Sequence, residues 1–229
     1  SIYFKSVSIQ DIFEFNDVPF ISSLPISNIF QIISANQYRK YALKRSSFQI
    51  DSEEINKVLR YTEDTKKIIQ NTIDKLNLPK EYACIHIRRG DKVGEALYRY
   101  TQKRGKTESK RYEFDCYLKE LESLIVKNEQ VTIFIMTDDY RSINEAKLFL
   151  QKNNLDYNLI YLTLESQLGH STDTQIDNNY SYTKTELFNF FAEIEIAKHA
   201  KYFIGTESSN IYRFIKNISS KNINFISLD

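Results

Sequence analysis

The chain contains no tryptophan, two cysteines and three histidines, and its 229 residues include only five glycines and three prolines. Each scarcity excludes something. Cys84 lies in an apolar, strand-like run and Cys116 in a helix-like one, so reduced thiols packed among apolar neighbours are expected rather than a disulfide or a metal pair. That state slightly favours a reducing compartment. His170 sits in a polar loop and His199 at a helix end, and no zinc spacing can be assembled from them, so no metal site is expected. There is also no Asp-x-Asp triplet, a spacing that often holds a divalent cation. No run of about eighteen apolar residues occurs, so no membrane-spanning segment is expected in this chain. Its first residues, Ser1–Lys5, lack the pattern of a signal peptide, and the missing initiator methionine leaves room for a targeting or membrane segment that has been cut away. An excess of one charge is missing too. With 31 Lys and Arg against 30 Asp and Glu, the net charge of +1 gives no general attraction to nucleic acid or anionic membrane, so any anion site must be local.

What remains has globular proportions, 41% hydrophobic and 27% charged, in a length that suits one large domain or two small lobes. No internal repeat or low-complexity tract interrupts it. From residue 81 onward, short β-branched or aromatic runs alternate with longer segments of helical period, the order expected of an α/β fold with a parallel sheet. Strands are predicted at Tyr82–Ile87, Val131–Met136, Tyr157–Leu162, Tyr202–Gly205 and Asn222–Ser227. Helices are predicted at about 111–127, where Phe114, Tyr117, Leu118, Leu121, Leu124 and Ile125 share a face, then at about 142–152 and 186–200, with a last one starting near Ser208. Before residue 81 the texture is helical, with helices near 27–44 and from Ser52 to Leu76. Residues 1–80 are therefore expected to form a smaller, mainly helical N-terminal lobe, joined through Asn77-Leu78-Pro79-Lys80 to a Rossmann-type lobe at 81–229. The basic stretch Arg39–Arg45 suits a solvated helix face better than a nucleic-acid contact. Many of the 16 tyrosines fall in predicted loops, where core or rim packing is the usual role and stacking on sugars a second one.

The most informative segment is Ile85-His86-Ile87-Arg88-Arg89-Gly90-Asp91-Lys92, an apolar strand that ends in three cations and a carboxylate. Strand alternation puts His86 and Arg88 on one face, and Arg89 at the strand end is expected to swing forward, so that a pyrophosphate receives planar forks from both sides. Gly90 lets backbone approach a ligand, and Asp91 can hold an arginine or a ligand hydroxyl. A solvated basic turn is the plainer alternative. Asp138 and Asp139 follow another strand, where one can accept hydrogen bonds from a ligand and Asp139 can also cap the next helix. Ser208 and Ser209 open a helix directly after a strand, a good place for phosphate and also an ordinary place for a serine cap. The polar segments 90–110 and 165–184 both follow predicted strand ends and should border the ligand crevice of an open α/β sheet.

The run His86-Ile87-Arg88-Arg89-Gly90-Asp91-Lys92-Val93-Gly94 resembles the donor-binding motif of the α1,6-fucosyltransferases, the group that includes core N-glycan and nodulation-factor enzymes. Ile135-Met136-Thr137-Asp138-Asp139 with Glu145-Ala146-Lys147 is similar to the family's second block. Tyr182-Thr183, then Glu193, then Phe203-Ile204-Gly205-Thr206-Glu207-Ser208-Ser209-Asn210 resembles its third, and Ile226-Ser227-Leu228-Asp229 its terminus. The likeness covers residues 81–229. It implies a GT-B-like fold and an inverting, metal-independent transfer of fucose from GDP-fucose to a glycan hydroxyl, α1,6 linkage favoured. It implies that His86, Arg88, Arg89, Asp91, Asp138, Asp139, Tyr182, Glu193, Ser208 and Ser209 bind the donor. Glu193 stands where the family has an aspartate that contacts the nucleotide. Arg88, Arg89, Lys92 and Glu95 form the expected catalytic group, with Glu95 as the base one residue earlier than in the family pattern and Lys92 orienting it or screening the leaving phosphate. An α1,2-fucosyltransferase, which shares the Arg-Arg-Gly-Asp run, and a non-catalytic nucleotide-sugar-binding domain are the competing readings.

Overall fold

A computed structural model of the chain describes residues 13–14, 60–89, 110–125, 131–169, 183–219 and 222–229. The expected helix near 27–44, the basic stretch 39–45, and Gly90, Asp91, Lys92, Val93, Gly94, Glu95, His170 and Tyr182 lie outside these residues. Two short strands, β1 (Phe13–Glu14) and β2 (Arg60–Tyr61), pair antiparallel. Next come α1 (Glu63–Asp74) and β3 (Ala83–Ile87), then α2 (Phe114–Glu122), β4 (Thr132–Thr137), α3 (Tyr140–Lys152) and β5 (Asn158–Tyr161). After them run α4 (Lys184–Ala197), β6 (Tyr202–Gly205), α5 (Asn210–Ile218) and β7 (Asn224–Ser227).

β3 to β7 form one parallel sheet in the order β5-β4-β3-β6-β7. β3 is central and buried along its whole length, as its unbroken apolar run requires of a strand covered on both faces. Its residues alternate between two cores. Cys84 joins Phe134, Met136 and Phe203 under α1, α4 and α5, while Ala83, Ile85 and Ile87 join Ile133, Ile135 and Ile204 under α2 and α3. The result is a three-layer α/β/α arrangement, and all five predicted strands are present within two residues of their predicted ends.

The expected helix from Ser52 to Leu76 is shorter. Thr62 caps it at its N-terminus, its hydroxyl accepting from Thr65 N at 3.3 Å, because Arg60 and Tyr61 are held extended against Glu14 and Phe13. Asn77, with φ of 48°, turns the chain away just past its C-terminus. Ile69 of α1 is buried in the core beneath α4, with Ile73, Leu76 and Leu78 packed around it. Residues from Arg60 onward therefore share a core with the sheet, Leu78 of the expected linker included. At about 1.5–3 kcal/mol for each fully buried aliphatic side chain, Ile69 alone is a substantial anchor.

Candidate functional site at the sheet switch point

From β3 the chain steps outward to β4 and β5 through α2 and α3 on one face. It then crosses to the other side of β3, adding β6 and β7 through α4 and α5 on the opposite face. The direction of winding reverses between β3 and β6. In open α/β sheets the ligand crevice lies at such a point, beyond the carboxyl ends of the strands.

Three strand ends and one helix meet at it. At the end of β3, His86 is buried and stacks on Phe203 of β6, with centroids 6.4 Å apart and planes at 13°. Among the described residues its Nδ1 has no hydrogen-bond partner. Burial, and then the nearby charge of Arg88, pull its pKa down to about 3, so the imidazole is neutral. Arg88 is paired with Asp138, whose other oxygen accepts from the backbone N–H of Arg89 at 3.3 Å. Asp138 in turn lies close enough to Glu193 of α4 to act on its ionisation. The Glu193 carboxyl is 6% exposed, and burial first, then Asp138, push its pKa well above the usual carboxylate range. Its proton is thus released at a higher pH than that of an ordinary glutamate.

The alternation of β3 continues one residue further than expected. Arg89 does not swing forward; it points into the layer under α2 and α3 and is 4% exposed. Its Nη1 donates to the carbonyl of Tyr112 at 2.8 Å and its Nη2 to Oε2 of Glu145 at 2.9 Å. The second oxygen of Glu145 accepts from Phe114 N, the first amide of α2, at 2.6 Å. This matters because Glu113, at the N-cap of α2, makes no side-chain capping bond. Arg89 therefore ties β3 to α2 and α3 instead of reaching forward to a pyrophosphate.

Asp139 follows the same pattern. Its carboxylate, expected to face a ligand, is 2% exposed and serves as the cap of α3, accepting from Arg141 N at 2.9 Å and from the Arg141 guanidinium at 2.6 Å. Residues 164–169 fold back beside it, with Tyr140 N donating to the Gln167 carbonyl at 2.8 Å and Gly169 N to the Asp138 carbonyl at 2.9 Å.

At the end of β6, Gly205 permits a close approach. A Cβ there would stand 2.8 Å from the Tyr212 ring and 3.4 Å from the His86 carbonyl. Thr206 follows, its hydroxyl buried and without a partner. Ser209 precedes α5 as its N-cap residue but makes no capping bond through its side chain. Of the two serines expected to offer phosphate contacts, Ser208 donates its amide to Asp229 at 3.3 Å and Ser209 its amide to the Thr206 carbonyl at 3.0 Å, and Asp229 also accepts from Glu207 N at 2.7 Å. Burial raises the Asp229 pKa, but its hydrogen bonds with Ser208, Ser227 and Glu207 outweigh that and lower it overall. Among the described residues, no group of three or more His, Cys, Asp or Glu is placed to hold a metal ion. Among them, too, no helix is long and apolar enough to cross a membrane.

Residues 47–224 match the family model described as alpha-(1,6)-fucosyltransferase N- and catalytic domains. The chain belongs to this family. No curated protein sequence matches it. Among solved structures, it is similar to NodZ α-1,6-fucosyltransferase co-crystallised with GDP, a fucosyltransferase solved from Bradyrhizobium, at 10% identity and a TM-score of 0.44, covering 77% of this chain and 48% of that one. It is similar to POFUT1 in complex with GDP at 12% identity and a TM-score of 0.45, covering 76% and 49%. A mutant of Arabidopsis thaliana FUT1 in complex with GDP is 8% identical, with a TM-score of 0.44 and coverage of 76% and 35%. The chain thus spans about half the length of these structures or less.

Within this α1,6-fucosyltransferase-family chain, the expected residues divide into two sets. His86, Arg88, Asp138 and Glu193 come together at the crevice, with Ser209 near the neighbouring strand end. Arg89 and Asp139 are drawn into the scaffold, and Ser208 is bound through its amide to Asp229. Sequence reasoning did not single out Thr206, Asp229, or Glu145 as a partner of Arg89. Glu145 was visible only as part of the second block; nothing in the local sequence says that its carboxylate faces β3, since α3 must first dock on the sheet.

Proposed function

We propose that this chain binds GDP-fucose and, as part of a complete fucosyltransferase, moves fucose to a glycan hydroxyl with inversion, α1,6 linkage and no metal. The observation that carries the reading is the cluster at the switch point: Arg88, paired with Asp138, stands at the same strand ends as the buried His86 and Glu193. Arg88 supplies charge-assisted hydrogen bonds to the donor diphosphate, each worth about 1.5–3 kcal/mol. Glu193, when it carries its proton, can donate to an acceptor atom of the nucleoside as well as accept, and Asp138 holds Arg88 in orientation. Thr206 and Ser209 offer hydroxyls from the opposite wall of the crevice.

In the transfer, the bond between the fucose anomeric carbon and the diphosphate oxygen breaks as the acceptor oxygen forms a bond on the other face. GDP leaves with the electron pair, its new charge facing Arg88 and Lys92. Glu95 takes the acceptor's proton, a role assigned on sequence alone along with the donor contacts of Asp91 and Tyr182. The family match over residues 47–224 supports the reading.

Calorimetric titration with GDP, GDP-fucose and UDP-galactose, with and without EDTA, tests it. Guanine nucleotides should bind equally well in EDTA and UDP-galactose should not bind. Failure of GDP and GDP-fucose to bind would overturn the reading. Binding without transfer or donor hydrolysis would reduce it to a binding domain, and a 2-linked product would overturn the linkage.

A further inference from the structure

We infer that Glu145 is a positioning residue for the donor site: through Arg89 it fixes the end of β3 so that Arg88 is presented to the diphosphate. The inference rests on the donor site proposed above. It starts from the paths by which Arg88 is held. The side chain of Arg88 pairs with Asp138, and the same carboxylate accepts from the backbone N–H of Arg89 at 3.3 Å. The orientation of Arg88 therefore depends on where the backbone of Arg89 stands. That backbone is set in turn by the Arg89 guanidinium, a planar fork with one prong on the Tyr112 carbonyl at 2.8 Å and the other on Glu145 at 2.9 Å. Glu145 is itself fixed, because its second oxygen accepts from Phe114 N at 2.6 Å. An unbroken series of contacts thus runs from the first turn of α2, through α3, to the guanidinium at the crevice.

A buried ion pair is a poor source of stability, since apolar side chains of similar volume often serve as well. What such a pair supplies better than apolar packing is direction. Tyr112, the other partner of the fork, is held by its own hydroxyl, which donates to the Leu228 carbonyl at 2.6 Å. Arg89 is therefore gripped by two anchored partners, and only the backbone step from Arg89 to Arg88 separates this grip from the crevice. Glu145→Gln removes the charge and leaves one acceptor oxygen for two donors, Arg89 Nη2 and Phe114 N, so that the grip on the strand end loosens.

The test measures GDP affinity by calorimetry and unfolding by thermal melting. The proteins are the wild type, Glu145→Gln, Glu145→Asp, Arg88→Ala and the double variant Glu145→Gln/Arg88→Ala, each titrated well below its melting temperature. Glu145→Gln should weaken GDP binding about tenfold, in keeping with the sensitivity of bound ligands to small misplacements. Glu145→Asp should recover part of the loss. Arg88→Ala should weaken binding less in the Glu145→Gln background than in the wild type, since the two act along one path. A variant that melts lower yet binds GDP like the wild type would reduce Glu145 to a structural brace and overturn the inference, as would additive losses in the double variant. A wild type that binds no GDP would overturn the donor site itself and the inference with it. Should Glu145→Gln fail to fold, Arg89→Lys, which keeps the charge but loses the fork, carries the same comparison with Arg88→Ala.

Discussion

On the face covered by α2 and α3, Arg89 is buried with its guanidinium between Glu145 and the Tyr112 carbonyl, while the opposite face buries His86 and Glu193 on different terms. There the imidazole nitrogen Nδ1 has no partner among the described residues, and burial raises the pKa of the Glu193 carboxyl well above the usual carboxylate range. Both faces belong to one sheet, and both meet the same central strand. Burying polar groups without partners costs stability, so a fold tolerates them mainly where something else will supply the partner. Arg89 is tied into the scaffold, whereas His86 and Glu193 adjoin the strand ends at the switch point. Family membership gives a reason for that asymmetry, because the proposed donor would bring both the anion and the hydrogen-bonding edge that the second face lacks.

The comparison can be broken most sharply at its two arginines. Arg89→Ala should destabilise the protein by about 3 kcal/mol in chemical denaturation. This is the low end for breaking a buried pair, because Glu145 keeps 24% of its side chain exposed. Arg88→Ala should weaken GDP binding by roughly thirtyfold, about 2 kcal/mol, more than Arg89→Ala weakens it through the strand end, and with a smaller change in unfolding. If the two substitutions exchanged these signatures, the assignment of scaffold and ligand faces would be reversed.

Glu193 gives a pH-dependent test of moderate size. Its folded pKa is raised, so the folded state holds a proton that the unfolded state releases at ordinary carboxylate pH. Stability from this group is complete below the unfolded pKa, about 4.3, and declines as pH rises toward the folded value. Glu193→Gln removes that decline. The variant should be more stable than the wild type near neutral pH, with the gain vanishing toward about pH 4 in melts across that range. A constant difference between the two proteins would show that Glu193 is not the group that titrates.

The smallest effect is expected at the β6 turn. Asp229→Asn leaves the Glu207 and Ser208 amides with a neutral acceptor in an exposed setting, and a loss of only about 0.5 kcal/mol in denaturation is expected. No change at all would mean that Ser227, which also accepts from Glu207 N at 2.8 Å, holds the turn without help.

Much of the fold could be read from local pattern. The central strands are apolar runs bounded by turn residues, and the helices between them carry a single apolar stripe, so alternation and period were sufficient. Local pattern misjudged the helix before residue 81, where pairing of Arg60 and Tyr61 with a strand some 45 residues earlier overrides a continuous helical stripe. The site was legible as residue types but not as directions. His86, Arg88, Asp138 and Glu193 reach the crevice, yet Arg89 and Asp139, equally prominent in their motifs, turn inward because partners from other elements compete for them. No reading of adjacent residues shows that Glu145 waits on the far side of β3, or that Asp229 reaches back to the β6 turn.

The strand order also bears on how the chain comes to fold. β3 pairs with β4 across about 50 residues but with β6 across about 120, so the second pairing must close a much longer loop. Long-range pairing of this kind is slow compared with local contacts, and the half containing β3, β4 and β5 can assemble while β6 is still remote. The crevice lies between β3 and β6. It is therefore the seam along which two halves join, and His86 meets Phe203, and Gly205 slides under Tyr212, only when that seam closes.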